Sequence, residues 1–359
     1  MKRSLLIFLS AIILGFIGLV MVYSSSSVWS LYKFNDAFYY VKHQGIFYLA
    51  GLISILILKN VDYNYYKKYA NKILFACLIL LVLVLIPGIG QIRNGSRSWF
   101  GIGSFGMQPS EIAKIALIIF TAKYLANNEK DVRFFKKGIL PILIVIGLFF
   151  GLIMLEPDFG TAMVIIMTLV SMLFISNIKI SFFGYTGLLG LLGIASLIII
   201  APYRMQRIVS FINPWVDPLG SGFQIIQSLY AIGPGGLFGL GFGNSIQKHF
   251  YLPEPQTDFI FAIISEEFGI MGIIILSILF LILFVNTLKI SINTNDLFAK
   301  YLSFGLIMGI ILQAILNISV VIGLVPVTGV TLPFISYGGS SLLVSMASIG
   351  IILNIAKNN

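Results

Sequence analysis

Residues 301–356 read YLSFGLIMGIILQAILNISVVIGLVPVTGVTLPFISYGGSSLLVSMASIGIILNIA, without a single charged side chain. About 20 apolar residues cross a hydrocarbon core as a helix. Residues 301–322 and 337–356 each reach that length. The Pro- and Gly-rich stretch 323–339 between them cannot continue a helix, because proline removes an amide donor and glycine costs backbone entropy. This stretch therefore predicts two membrane-spanning helices joined by a shaped loop.

The same pattern runs back through the chain. Cut at charges and at Pro/Gly clusters, the apolar runs are 5–23, 44–58, 73–89, 110–126, 139–155, 159–175, 181–201 and 259–288, then the two already quoted. The expectation is an all-α polytopic membrane protein of about ten transmembrane helices in a single domain over 1–359. Composition agrees. Of 359 residues 58% are hydrophobic and 10% charged, against roughly 25% charged in a water-soluble domain. That excludes an ordinary soluble enzyme and a disordered chain. The continuous apolar runs also differ from the alternation of an outer-membrane barrel. Cys77, His43 and His249 are the only Cys and His residues, too few for a His/Cys metal site or an internal disulfide. The first run follows Lys2 and Arg3 and is longer than the 7–15-residue core of a secretory signal, so it is read as a retained helix.

Placing the N-terminus inside puts 15 Lys/Arg on the inner side and seven on the outer side, with Lys114 inside a span. Short cytoplasmic loops carry such an excess, so the expected orientation is N-in and C-in. The net charge of +10 then reads as a topology signal, not as a nucleic-acid surface. The informative loops lie outside, at 90–109 and, longest, at about 202–258. A loop that long usually serves a function, and its apolar stretch 225–232 suggests short helices.

Four outer segments are distinctive: 94–114 (NGSRSWFGIGSFGMQPSEIAK), 156–161 (EPDFGT), 204–267 (containing NPWVDPLGSGFQIIQSLYAIGPGGLFGLGFG and YLPEPQTDFIFAIISEE) and 317–341 (NISVVIGLVPVTGVTLPFISYGGSS). Together, in order and over nearly the whole chain, they resemble the shape, elongation, division and sporulation (SEDS) family, which includes FtsW, RodA and SpoVE. The resemblance implies a ten-helix peptidoglycan glycosyltransferase of the bacterial cytoplasmic membrane. It would polymerise lipid II into lipid-linked glycan at the outer face, with a class B penicillin-binding protein and other division or elongation proteins as partners. Residues 248–255 (KHFYLPEP) resemble the division and sporulation branch more than the RodA-like elongation branch.

Asp258 stands where the long outer loop enters an apolar helix. Position alone serves a general base or an N-cap equally; the family motif places the essential aspartate here. Glu254 is either a solvated loop charge or a ligand for a sugar hydroxyl or metal. Glu266 and Glu267 enter the apolar run, where a carboxylate must be paired or line a cavity. Glu111 and Lys114, three apart on one helix face, form an interface pair or a charged patch in a substrate cavity. Arg93, Arg97, Trp99 and the pair Arg204/Arg207 are candidates for pyrophosphate or lipid-headgroup contact. Glu156 and Asp158 flank Pro157 in a tight turn, where Asp158 is expected to close the loop and cap the next helix. The glycine series 233–243 lacks GxxxxGK[ST] and is not a nucleotide loop.

The family's donor sugar is α-linked to pyrophosphate and its product is β-1,4-linked. One displacement inverts the centre and needs one base, the role expected for Asp258. A divalent cation (Mg2+ or Mn2+) is suggested by the pyrophosphate charge and the resemblance alone; no organic cofactor and no nucleic acid are expected. A lipid II flippase or a scaffold without catalysis are the readings from other classes. A flippase would need charges along a midplane path, whereas these charges gather toward the outside.

Overall fold

The computed structural model describes residues 2–93, 95–102, 105–200 and 202–358, without the side chains of 102, 105, 189, 191, 194–200 and 202–204. Each expected apolar run overlaps one helix. These are α1 (Lys2–Phe34), α2 (Tyr39–Leu58), α3 (Asn64–Leu85), α4 (Pro109–Asn127), α5 (Leu140–Leu155), α6 (Phe159–Phe174), α7 (Ile180–Ile200), α10 (Ile260–Asn293), α11 (Leu297–Val321) and α12 (Gly339–Lys357). Two shorter helices, α8 (Pro202–Ile212) and α9 (Phe223–Ile232), lie in the long loop 202–258, as the stretch 225–232 suggested. Among the described residues seven helices are long and apolar enough to cross a membrane, and α6 is a shorter apolar helix.

The loop 90–109 departs from the all-α expectation. It folds into a three-stranded antiparallel sheet of β1 (Gln91–Arg93), β2 (Ser96–Ile102) and β3 (Phe105–Met107), with Gln91 opposite Trp99 and Gly101 opposite Gly106. Its alternation of small and large residues suits a pleated surface, which single-residue turn signals did not reveal.

The packing places α11 and α4 at the centre. α4 lies against α3, α11 and α6, α2 against α12, and α1 against α10. Local signals set the ends. Pro109 opens α4, where its missing N–H costs nothing. Asp158 caps α6 by accepting from the Thr161 amide (3.1 Å), as expected for this turn.

The run 259–288, read as one helix, is broken. Gly269 has φ 60° and ψ −153°, a conformation open to glycine. The glycine-rich segment 233–243 splices into the break. The Leu240 and Gly241 amides donate to the Glu266 and Glu267 carbonyls (2.9 and 3.0 Å), and the Ile270 and Met271 amides donate to the Gly236 and Leu237 carbonyls (3.0 and 3.1 Å). A broken helix at membrane depth must hand its backbone groups to protein partners, and this exchange does so. A Cβ at Gly239 (φ 77°) would sit 2.2 Å from the Glu267 backbone, so the close approach requires glycine there.

The last long loop, 322–338, is satisfied in the same manner. Its carbonyls accept from Gln313 (to Thr331, 3.1 Å), Asn317 (to Val330, 2.7 Å), Arg207 (to Val327, 3.0 Å) and Gln44 (to Ser336, 2.9 Å). The Tyr337 amide donates to the Gln256 carbonyl (2.8 Å). Side chains from α2, α8 and α11 thus hold this loop against the segment that carries Asp258.

Candidate active site

Pro253 and Pro255 restrict the approach to α10. The Thr257 amide and hydroxyl both donate to the Glu254 carbonyl (3.1 and 2.8 Å), closing a turn that delivers Asp258 half-buried at the helix mouth. The N-cap position of α10 is Phe259, and no side chain caps it. Asp258 therefore does not spend its carboxylate on the helix end. Its main chain is held instead: Asn317 Nδ2, buried on α11, donates to the Asp258 carbonyl (2.7 Å) and to Val330 (2.7 Å).

The carboxylate faces Gly329, whose added Cβ would lie 3.9 Å from Oδ2. Burial lifts Asp258 above the ordinary aspartate range; a Thr257 hydrogen bond and the positive Arg207 oppose that rise. Arg207, exposed on α8, spans to the same loop through Val327. Asp258 and Arg207 thus both meet the 327–330 segment, Asp258 at Gly329 and Arg207 at the Val327 carbonyl.

A second polar cluster lies behind this loop. Lys114 Nζ pairs with Glu111 (2.7 Å) and donates to Gln313 Oε1 (2.6 Å), and Gln313 donates onward to Thr331 Oγ1 (3.3 Å) and Ser341 (3.2 Å). Gln108 and Ser110 donate to Asp158 Oδ2 (2.6 and 3.3 Å). Burial raises Asp158, and the Glu111 charge adds to the rise. α6 meets the loop so closely that a Cβ on Gly160 would lie 2.7 Å from the Thr328 carbonyl. The loop is sandwiched between Asp258 and this buried cluster.

A family model described as "Cell cycle protein" (FtsW, RodA, SpoVE) matches residues 4–359. The chain belongs to the FtsW/RodA/SpoVE family. It is similar to Stage V sporulation protein E of Bacillus subtilis, with 49% identity over 99% of this chain and 97% of that one. It is also similar to a probable peptidoglycan glycosyltransferase FtsW of Geobacter sp. (strain M18), with 40% identity over 98% of this chain and 96% of that one. Among solved structures, a chain described under "Structural coordination of polymerization and crosslinking by a peptidoglycan synthase complex" superposes with a TM-score of 0.78 at 26% identity, covering 98% of this chain and 97% of that one. Rod shape determining protein RodA of Thermus thermophilus gives 0.72 at 25%, covering 98% and 96%.

Within this SEDS chain the remaining candidates separate. Glu266 and Glu267 are fully buried and engaged by polar partners. Glu266 accepts from the Ser245 hydroxyl (2.5 Å) and the Ile246 amide (2.8 Å); Glu267 pairs with Lys248 (3.1 Å) and accepts from Ser24 (2.6 Å). They bind the 243–248 loop to α10 and α1, and removing one partner would leave a buried charge uncompensated. Arg97 and Trp99 share one face of β2. Arg97 turns back to the Leu85 carbonyl at the end of α3 (3.4 Å), and Arg93 stacks on Trp99 at 5.2 Å. The Arg204 side chain lies outside the described residues. Glu254 is exposed, with φ 45°.

The sequence reading passed over Asn317, Gln313 and Gln108. For Asn317 and Gln313 the signal is a buried amide in an apolar run, which is costly unless it bonds something; Gln108, half-buried before Pro109, carries no such signal. It also treated Glu156 as turn chemistry. Glu156 is fully buried, neither carboxylate oxygen has a partner among the described residues, and burial with the nearby Asp158 pushes its pKa up to about 9. Above the unfolded value of 4.5 the unfolded chain releases this proton while the folded chain keeps it. Stability should therefore fall as pH rises from about 4.5 to about 9, by at most roughly 1.4 kcal/mol per unit. In Glu156→Gln the curve should be shallower, because the raised Asp158 and Asp258 still contribute. Melting temperatures of both proteins from pH 5 to 9 check this; parallel curves would show Glu156 charged in the fold.

Proposed function

We propose that this chain is a peptidoglycan glycosyltransferase that polymerises lipid II at the outer face of the bacterial cytoplasmic membrane. The observation that carries the reading is Asp258: a half-buried aspartate, raised by burial, free of helix capping and held at its main chain by Asn317. A base whose pKa lies closer to working pH transfers protons more effectively. In this reading a carboxylate oxygen of Asp258 takes the proton of the acceptor sugar's 4-hydroxyl. The deprotonated 4-oxygen of the acceptor attacks the anomeric carbon of the donor, the bond to pyrophosphate breaks, and the centre inverts from α to β. The leaving group departs as an anion and needs no acid. Arg207, whose positive charge acts on Asp258, would stabilise the departing anion, while Lys114 sets the field behind the loop.

A divalent cation remains the expectation raised by the pyrophosphate. Among the described residues no group of three or more His, Cys, Asp or Glu could hold one. Glu111 is committed to Lys114 and Asp158 to the α6 cap, so every step above is assigned to side chains. Lipid II polymerase activity is supported by the FtsW relative's name, and a class B penicillin-binding protein as partner by the synthase complex that the similar chain belongs to. The 40–49% identity to SpoVE and FtsW, against 25% to RodA, supports division or sporulation over elongation.

Two tests follow from this reading. Protonated Asp258 is inactive, so the rate should climb with pH through an acid limb above the ordinary aspartate range. Arg207 lowers that pKa, so Arg207→Ala should move the limb to higher pH as well as slow the reaction. A limb that stays put in Arg207→Ala would separate Arg207 from the base. For orientation, a cysteine at His249 in a Cys77→Ala background should react with an impermeant thiol reagent in intact cells, and one at Lys130 should not; both positions are exposed. The reverse labelling would invert the topology and remove the site from the outer face.

A further inference from the structure

α1 has 33 residues, about 50 Å of helix against a hydrocarbon core of about 30 Å. With Lys2 and Arg3 at the inner surface, its last turns stand clear of the hydrocarbon on the outer side. There Trp29 and Tyr32, one turn apart, clasp Phe250 of the long outer loop edge-on, both with ring centroids 5.5 Å away. Tyr32 is 77% exposed and Phe250 52%. Phe250 has φ 67° and Glu254 φ 45°. Bulky non-glycine residues rarely take such angles, and two of them in one short loop mark backbone held against its preference, a feature that gathers at functional sites.

This aromatic group connects to the catalytic loop by contact. Trp29 and the Glu254 carboxylate both lie close enough to the Tyr40 hydroxyl to act on it electrostatically. The Tyr40 ring meets Tyr337 edge-on at 4.8 Å, and the Tyr337 amide donates to the Gln256 carbonyl, two residues before Asp258. The surface therefore begins beside the base and leads outward to Tyr32.

We propose that Tyr32 and Phe250, backed by Trp29 and flanked by Tyr40 and Glu254, form a carbohydrate subsite that holds the sugar rings of the glycan strand next to the reacting unit. It rests on the polymerase reading of Asp258. Pyranose rings present apolar C–H faces and a rim of hydroxyls. Exposed aromatic faces match the first, while a carboxylate and a phenol match the second. A plain interfacial aromatic belt would need neither the strained Phe250 backbone nor Glu254, and would not be tied through Tyr40 and Tyr337 to the catalytic loop. A strand held here stays in register with Asp258 between additions, so the subsite would set strand length.

The test uses the purified full chain and a soluble tetrasaccharide of alternating N-acetylglucosamine and N-acetylmuramic acid, read by calorimetry, beside the strand-length distribution from lipid II. Tyr32→Leu keeps apolar bulk but removes the ring; Tyr32→Trp keeps a ring. Tyr32 is so exposed that neither change should alter the melting curve. The expected result is tetrasaccharide affinity about fivefold to tenfold weaker in Tyr32→Leu, restored in Tyr32→Trp, with strands shortened by more than lipid II consumption falls. Leu31→Ala, exposed beside Tyr32, should bind as wild type does. Tetrasaccharide binding by Tyr32→Leu equal to wild type would overturn the proposal and leave the face as a membrane contact. Because binding is read without turnover, an inactive preparation tests the subsite separately from the polymerase reading.

Discussion

Replacing Asp258 with asparagine is expected to lower glycan polymerisation about 10²–10⁴-fold, the range typical for loss of a general base. The protein should meanwhile express and melt as wild type does. The structure strengthens the second half of that expectation. The Asp258 side chain does not cap α10, and what anchors the residue is its main-chain carbonyl, bonded to Asn317, which asparagine leaves in place. Shape is kept and proton acceptance is lost. A lipid II polymerisation assay beside a melting curve on one preparation reads both. Activity within about threefold of wild type would remove Asp258 as the base and bring Glu254 forward. Activity and stability lost together would show a structural role instead.

The second large effect concerns Glu111 and Lys114. Their side chains are 6% and 8% exposed and 2.7 Å apart. Breaking such a pair from one side typically costs about 3–5 kcal/mol, because a buried charge loses its partner. Lys114→Ala should therefore fold poorly, and its inactivity would say little. The exchange Glu111→Lys with Lys114→Glu keeps the pair and reverses its field. Gln313 can still serve position 114 by presenting its amide nitrogen in place of its oxygen. The exchanged protein should recover most of the lost stability yet polymerise at least about 100-fold more slowly, since a carboxylate would stand where the pyrophosphate-facing field requires a cation. Wild-type polymerisation by the exchanged protein would confine Lys114 to a packing role.

Much of the helical layout was legible from apolar runs, because lipid allows few departures from continuous helix or strand. The same uniformity hid the break at Gly269. Apolar residues surround it on both sides, and a lone glycine is a weak breaker signal. The segment that repairs the break, 233–243, was read only for what it is not. The sheet at 91–107 escaped because its strands are short and rich in Gly and Ser. At the candidate site, Asp258 stands out through position and motif; that its side chain does not cap α10 is visible only in the fold. Asn317 and Gln313 went unread because their partners are carbonyls of a loop whose path no sequence pattern gives. Glu266 and Glu267 are expected from sequence to be paired or in a cavity, but their partners Lys248, Ser24 and Ser245 are visible only in the fold.

The most direct test of the account incubates the purified protein and a class B penicillin-binding protein with labelled lipid II and a divalent cation. Products are then resolved by length and digested with a muramidase that cuts β-1,4 linkages. The account predicts a ladder of lipid-linked strands that the muramidase collapses, present with wild type and absent with Asp258→Asn. Lipid II left unpolymerised by the wild-type pair, or a ladder of equal intensity from Asp258→Asn, would contradict it.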